Sequence, residues 1–98
     1  MHLIAESIGF DWDEGNINKN WMKHRVSPPE AEEVFFNKPL LLLPDPKHSM
    51  KEQRYIAMGK TDKQRLLFVI WMARAKVIRV ISARAMNEKE RRMYEQEA

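Results

Sequence analysis

Three groups of residues in this 98-residue chain have the types and spacing for phosphate chemistry. The first is Ser82 with Arg84, inside Ile78-Arg79-Val80-Ile81-Ser82-Ala83-Arg84. Side chains of an extended strand alternate between faces, so Ser82 and Arg84 share one face and Arg79 falls on the other, with Ile81 and Ala83. A guanidinium presents a planar fork of donors matched to phosphate oxygens. The second group is Lys23-His24. Histidine moves protons near neutral pH, and lysine stabilises a phosphorane or a leaving group. The third is Glu52 with Arg54, a general base beside a phosphate clamp if a strand starts early enough to put both on one face. Each group also has a structural reading. Arg84 can end a strand and pair with a surface carboxylate. Lys23-His24-Arg25 can complement a helix dipole. Glu52 and Arg54 can belong to cross-strand ion pairs. Glu90 is a further possible base, explained equally by helix capping. Tyr94 and Trp71 can stack on a base, although aromatics in a small domain more often build its core.

The surrounding sequence supplies elements to hold these groups. Ile8, Phe10 and Trp12 alternate with Gly9 and Asp11, the pattern of a short half-buried strand. Asp13 caps a helix from Glu14, predicted to turn Ile17 and Trp21 inward and Asn16, Asn20 and Lys23 to a polar face. Ser27-Pro28-Pro29-Glu30 is a capping box with proline at the first helical position. It predicts a helix over 28–37 with Val26 and Ala31 as its hydrophobic staple. Leu40 to Leu43, stopped by Pro44-Asp45-Pro46, predicts a buried strand. Segments 54–60, 65–73 and 76–85 predict three more strands, joined by connectors too short for parallel crossovers. Asn87 and Glu90 form a second capping box before a last helix. The predicted class is α+β: two N-terminal helices, a largely antiparallel sheet with a three-strand meander, and a C-terminal helix.

Composition narrows the functions. A hydrophobic share of 44% allows one modest core, and 98 residues suit a single domain over 1–98. With no cysteine there is no disulfide framework or thiolate metal site. His2, His24 and His48 lack metal-ligand spacing, and the three isolated glycines make no phosphate-binding loop. No apolar run is long enough to span a membrane, and the first residues lack the features of a signal peptide. The net charge of +3 is unevenly spread. Residues 1–49 hold 5 Lys/Arg against 8 Asp/Glu, whereas residues 50–98 hold 12 against 6. A cationic second half suits a polyanionic partner such as nucleic acid, and equally a solvated surface.

At this point the residues carry a family likeness. Phe10-Asp11-Trp12-Asp13, Asn20, Lys23-His24-Arg25-Val26-Ser27 and Glu30-Ala31 resemble the opening of the BrnT toxin family. Pro44-Asp45-Pro46-Lys47-His48-Ser49 with Glu52 and Arg54 is similar to its middle. The 78–84 segment with Glu90-Arg91-Arg92 and Tyr94-Glu95 resembles its end. The ordered motifs span about residues 10–95. Pro28 and Pro29 depart from an aromatic and a glutamate common there, and Asn87 from a common threonine, with capping retained in both places. The resemblance implies a cytoplasmic type II toxin with a RelE-like fold that cleaves RNA as an mRNA interferase and arrests translation. It implies neutralisation by a BrnA-type ribbon-helix-helix antitoxin, with operator DNA met only through that antitoxin and no membrane partner. Metal-independent acid–base catalysis without a cofactor is the expected mechanism, with Lys23, His24, Glu52, Arg54, Ser82 and Arg84 as catalytic candidates. The rival expectation is a non-catalytic RNA- or antitoxin-binding module acting in transcriptional autoregulation.

Overall fold

A computed structural model describes residues 9–47 and 52–98; His2, Ile8 and His48 lie outside them. Local capping sets the helix starts. The Asp13 carboxylate accepts the N–H groups of Gly15 at 2.8 Å and Asn16 at 3.3 Å, opening α1 (Glu14–His24). Arg25, at φ 53°, turns the chain out, and the Val26 N–H returns to the Asn20 carbonyl at 3.3 Å. Ser27 and Glu30 complete the capping box of α2 (Pro28–Val34), with Val26 and Ala31 both buried as its staple. The helix is shorter than the predicted 28–37. The N–H groups of Phe35 and Phe36 close onto Glu32 and Glu33 in tightened turns instead. Asn87 and Glu90 cap α3 (Glu88–Glu97) in the same reciprocal way.

Five strands form one sheet: β1 (Gly9–Trp12), β2 (Leu41–Pro44), β3 (Tyr55–Lys60), β4 (Leu66–Arg74) and β5 (Val77–Ala85). Their order is β1-β5-β4-β3-β2. The β3-β4-β5 meander is antiparallel, as its short connectors require, and β2 extends it antiparallel to β3. Only β1 is parallel to its neighbour, β5. Strand β2 is a half-buried edge strand rather than a buried one, because its outer side has no strand partner among the described residues.

The sheet separates two apolar layers. On one face Ala57, Leu67, Val69, Trp71, Ile78, Val80 and Ala83 pack under Val26, Ala31, Val34 and Phe35 from the α1–α2 side. Trp71 stacks on Tyr55 at 4.9 Å and meets Phe35 edge-on at 5.6 Å, so it is core and not a base-stacking platform. On the opposite face Met58, Met86 and Tyr94 gather with Leu41, Leu43, Ile56, Leu66 and Phe68. Tyr94 is likewise core; its hydroxyl donates to the Pro39 carbonyl at 2.6 Å, and burial raises its pKa. Of the described helices, only α3 lies on this second face.

Helix α1 reverses part of its expected facing. Trp21 is 46% exposed, with the Arg25 guanidinium 5.3 Å from its ring centre, whereas Asn20 is buried. Strand pairing explains this. Strand β1 accompanies β5 only from Val77 to Val80, so the later part of β5 has a bare edge beneath α1. The Asn20 side-chain oxygen accepts the Ala83 N–H there at 3.2 Å, taking the place of a strand neighbour.

Candidate active site on the second sheet face

Between β4 and β5 the register jumps: Ile70 lies opposite Ser82, but Trp71 lies opposite Val80. Ile81 is the extra residue of a β-bulge, which resets the alternation. Ile78, Val80 and Ala83 consequently all face the helical core. Arg79, opposite Met72, joins Ser82 and Arg84 on the second face. This corrects the strict-alternation expectation that Arg79 sits with Ala83 on the other side.

The second face can be read as rows across the sheet. One row runs Leu41, Met58, Phe68, Arg84, and the next runs Leu43, Ile56, Ile70, Ser82. A third contains Met72, Arg79 and Asp11. Arg54 precedes the Tyr55–Trp71 pair, so alternation directs it to the end of this third row. Its carbonyl accepts the Asp45 N–H at 3.0 Å, continuing the β2–β3 ladder to that point. Arg74, two residues beyond Met72, forms an ion pair with Glu52 on the same side. The face therefore gathers Glu52, Arg54, Arg74, Arg79, Ser82 and Arg84 around an apolar stripe of Phe68, Ile70 and Met72. The partner of Glu52 is Arg74 rather than Arg54.

Arg84 is tightly organised. Its two terminal nitrogens each reach one Glu90 oxygen at 2.8 Å, and its guanidinium lies 4.3 Å from the Phe68 ring centre. Glu90 is thus both the cap of α3 and the anchor of Arg84. The hydrogen bonds from Arg84 hold the Glu90 carboxyl below the usual glutamate range despite its burial, and Glu90 in turn raises the Arg84 pKa. Arg79 is held by Asp11 at 2.9 Å and Asp13 at 3.4 Å. Asp13 joins α1's start to the sheet, so the short β1–α1 connection fixes one flank of this face.

Lys23 and His24 are not brought to it. They occupy the last turn of α1, on the helical side of the sheet. There the Arg65 guanidinium donates to the His24 carbonyl at 2.9 Å and the Arg25 carbonyl at 2.7 Å. Arg65 also meets Glu30 at 3.2 Å. Burial works to raise the Glu30 pKa, but hydrogen bonds from Ser27 and Arg65 outweigh it and lower the value. The candidates thus divide between two layers: Glu52, Arg54, Ser82 and Arg84 on the second face, Lys23 and His24 at the end of α1 on the helical side. Arg79 and Arg74 are additional cations on the second face that alternation and pair spacing did not single out. The bulge has one sequence trace, in that inward residues fall at 78, 80 and 83 rather than at even steps.

A largely antiparallel sheet carrying α1 and α2 on one side, and α3 with an arginine- and serine-bearing surface on the other, defines a small α+β domain. The family model for the ribonuclease toxin BrnT of type II toxin–antitoxin systems matches residues 12–90, and the chain belongs to that family. Its members are ribonuclease toxins, and the type II system supplies an antitoxin partner. Among solved structures, the ribonuclease toxin BrnT of Brucella abortus is similar in fold, with a TM-score of 0.62 and 23% sequence identity. That match covers 84% of this chain and 100% of the Brucella chain. No curated protein sequence matches. No helix among the described residues is long and apolar enough to cross a membrane.

Proposed function

We propose that the second sheet face is where this toxin cleaves RNA, as an mRNA interferase using its own side chains as acid, base and charge stabilisers. The observation carrying this reading is that Ser82 and Arg84 share one face of the sheet beside Phe68 and Ile70, the side to which strand alternation directs Arg54. A base removes the proton of a ribose 2′-hydroxyl, whose oxygen attacks the adjacent phosphorus in line. The leaving 5′-oxygen takes up a proton as its bond to phosphorus breaks. Arg54 and Arg84 stabilise charge on the phosphate oxygens as it develops, and Ser82, in the row between theirs, donates a hydrogen bond. Glu52 is the favoured proton acceptor because it shares this face. His24 and Lys23 reach the substrate only if the RNA strand passes around the end of the sheet. Loss of message by such cleavage arrests translation.

The toxin is read as a single domain over residues 1–98, acting in the cytoplasm, where its RNA substrate lies. Its antitoxin is proposed to be a BrnA-type ribbon-helix-helix protein that covers the cationic face and brings the pair to operator DNA. One observation favours a binding-module reading instead: the Arg84 fork is already filled by Glu90. Purified toxin incubated with RNA, with and without chelator, separates the two. The catalytic reading predicts cleavage in both conditions that Arg54→Ala and Arg84→Ala abolish. RNA retained but uncut favours the binding module.

A further inference from the structure

We infer that Asn20 is a positioning residue for RNA cleavage, acting through the Ala83 amide to hold Ser82 and Arg84 in place. The inference rests on the proposed placement of catalysis on the second sheet face. Asn20 is 1% exposed, on a helix whose other residues are half-buried or exposed. Its side-chain oxygen accepts the N–H of Ala83, the residue between Ser82 and Arg84. Its buried side-chain nitrogen has no hydrogen-bond partner among the described residues.

An unpaired buried amide donor destabilises the fold, and an apolar side chain of the same size at this position would avoid that penalty. The compensating contribution is local. Segment 81–85 begins at a bulge, where ladder pairing is disrupted, and lies beyond the end of β1, so its outer edge has no strand to fix it. Asn20 supplies the missing acceptor at the centre of this segment. Ser82 and Arg84 flank that anchored amide and project to the far side of the sheet. A rotation or slide of the strand there moves both together, and sub-ångström misplacement of charge-stabilising groups is costly in rate.

Asn20→Leu tests this because two penalties of similar kind exchange. It frees the Ala83 N–H but removes the unpaired side-chain nitrogen, so the thermal midpoint should stay within a few degrees of wild type. The kcat for RNA cleavage, measured well below the midpoint, should fall about 10- to 100-fold, with KM little changed. The Ala83 amide should exchange with solvent faster while the amides of Val77–Val80 stay protected. Asn20→Asp retains an oxygen at the same reach but buries a carboxyl group in place of the amide, which costs stability, so it should recover most of the rate at a temperature where it is folded. Should Asn20→Leu fail to fold, Asn20→Asp and Asn20→Ser, which retain and shorten the acceptor, carry the same comparison. Wild-type kcat in the variant lacking a reaching acceptor, with Arg84→Ala inactive, overturns this inference alone. So does a lost rate that Asn20→Asp, shown folded by its melting curve, fails to restore. Full activity in Arg84→Ala removes the placement of catalysis beneath it, and the inference with it.

Discussion

Arg84 has two roles in this account, and a pair of substitutions separates them. In the folded protein it makes two charge-assisted hydrogen bonds of 2.8 Å to Glu90 and lies over Phe68. Hydrogen bonds involving charged groups contribute about 1.5–3 kcal/mol when well buried. Here the side chains are 34% and 16% exposed, so screening reduces the pair to about 1–2 kcal/mol. The ring contact adds about 0.5 kcal/mol. Arg84→Ala should therefore cost about 2 kcal/mol, a fall of roughly 10 °C in thermal midpoint for a domain this size. Glu90→Gln removes the charge but keeps an amide at the capping position and should cost about 1 kcal/mol. Catalysis divides the two variants differently. Losing a transition-state donor costs about a hundredfold to a thousandfold in rate, so Arg84→Ala should be nearly inactive. Glu90→Gln leaves the guanidinium present and less occupied, so it should cleave within a few fold of wild type. Both are read by RNA cleavage at a temperature where each variant is folded, beside its melting curve. Activity in Arg84→Ala as high as in Glu90→Gln and wild type would refute this, because it would make Arg84 a structural residue only.

Arg54→Ala should abolish cleavage in the same RNA assay; full cleavage removes Arg54 from the site. Glu90 and Glu30 both have folded pKa values below the ordinary 4.5, so their contribution to stability is complete above that value and is lost as pH falls through the folded values. Urea melts from pH 7 to pH 3 should show the gap between wild type and Glu90→Gln narrowing in acid; a constant gap contradicts the pairing. A Cβ at Gly59 would sit 3.0 Å from Val34 Cγ1, so Gly59→Val should destabilise the α2–β3 contact by about 1–3 kcal/mol on chemical denaturation. If the antitoxin covers the cationic face, association measured in stopped flow should slow as salt rises, and a salt-independent rate would count against that surface.

The sequence made local structure legible and left cross-element geometry hidden. Both capping boxes, the Asp13 cap and the Val26–Ala31 staple depend on residues a few positions apart, and all are present. The meander followed from connector length. Asn20 was assigned to a polar face because nothing near it in sequence reports the bare edge of β5, 63 residues away. Arg79 was assigned to the wrong side because one extra residue at Ile81 inverts every parity beyond it. Ser82 and Arg84 did share a face, since both lie after the bulge. Glu52 and Arg54 were grouped by strand spacing, but β3 begins only at Tyr55, and the ion partner of Glu52 is Arg74 of β4. The separation of Lys23 and His24 from the arginines is a matter of layers, which periodicity along one helix does not encode.

Cleavage of RNA through the 2′-hydroxyl without a metal ion is the proposed activity. The direct measurement is the end chemistry of an oligoribonucleotide cut by purified toxin in chelator, compared with the same oligonucleotide carrying a single 2′-deoxy substitution at the cut. The expected products are a 2′,3′-cyclic phosphate on one fragment and a 5′-hydroxyl on the other, with no cutting at the deoxy position. Cleavage at the deoxy position, 5′-phosphate ends, or activity lost to chelator and restored by a divalent cation would contradict it.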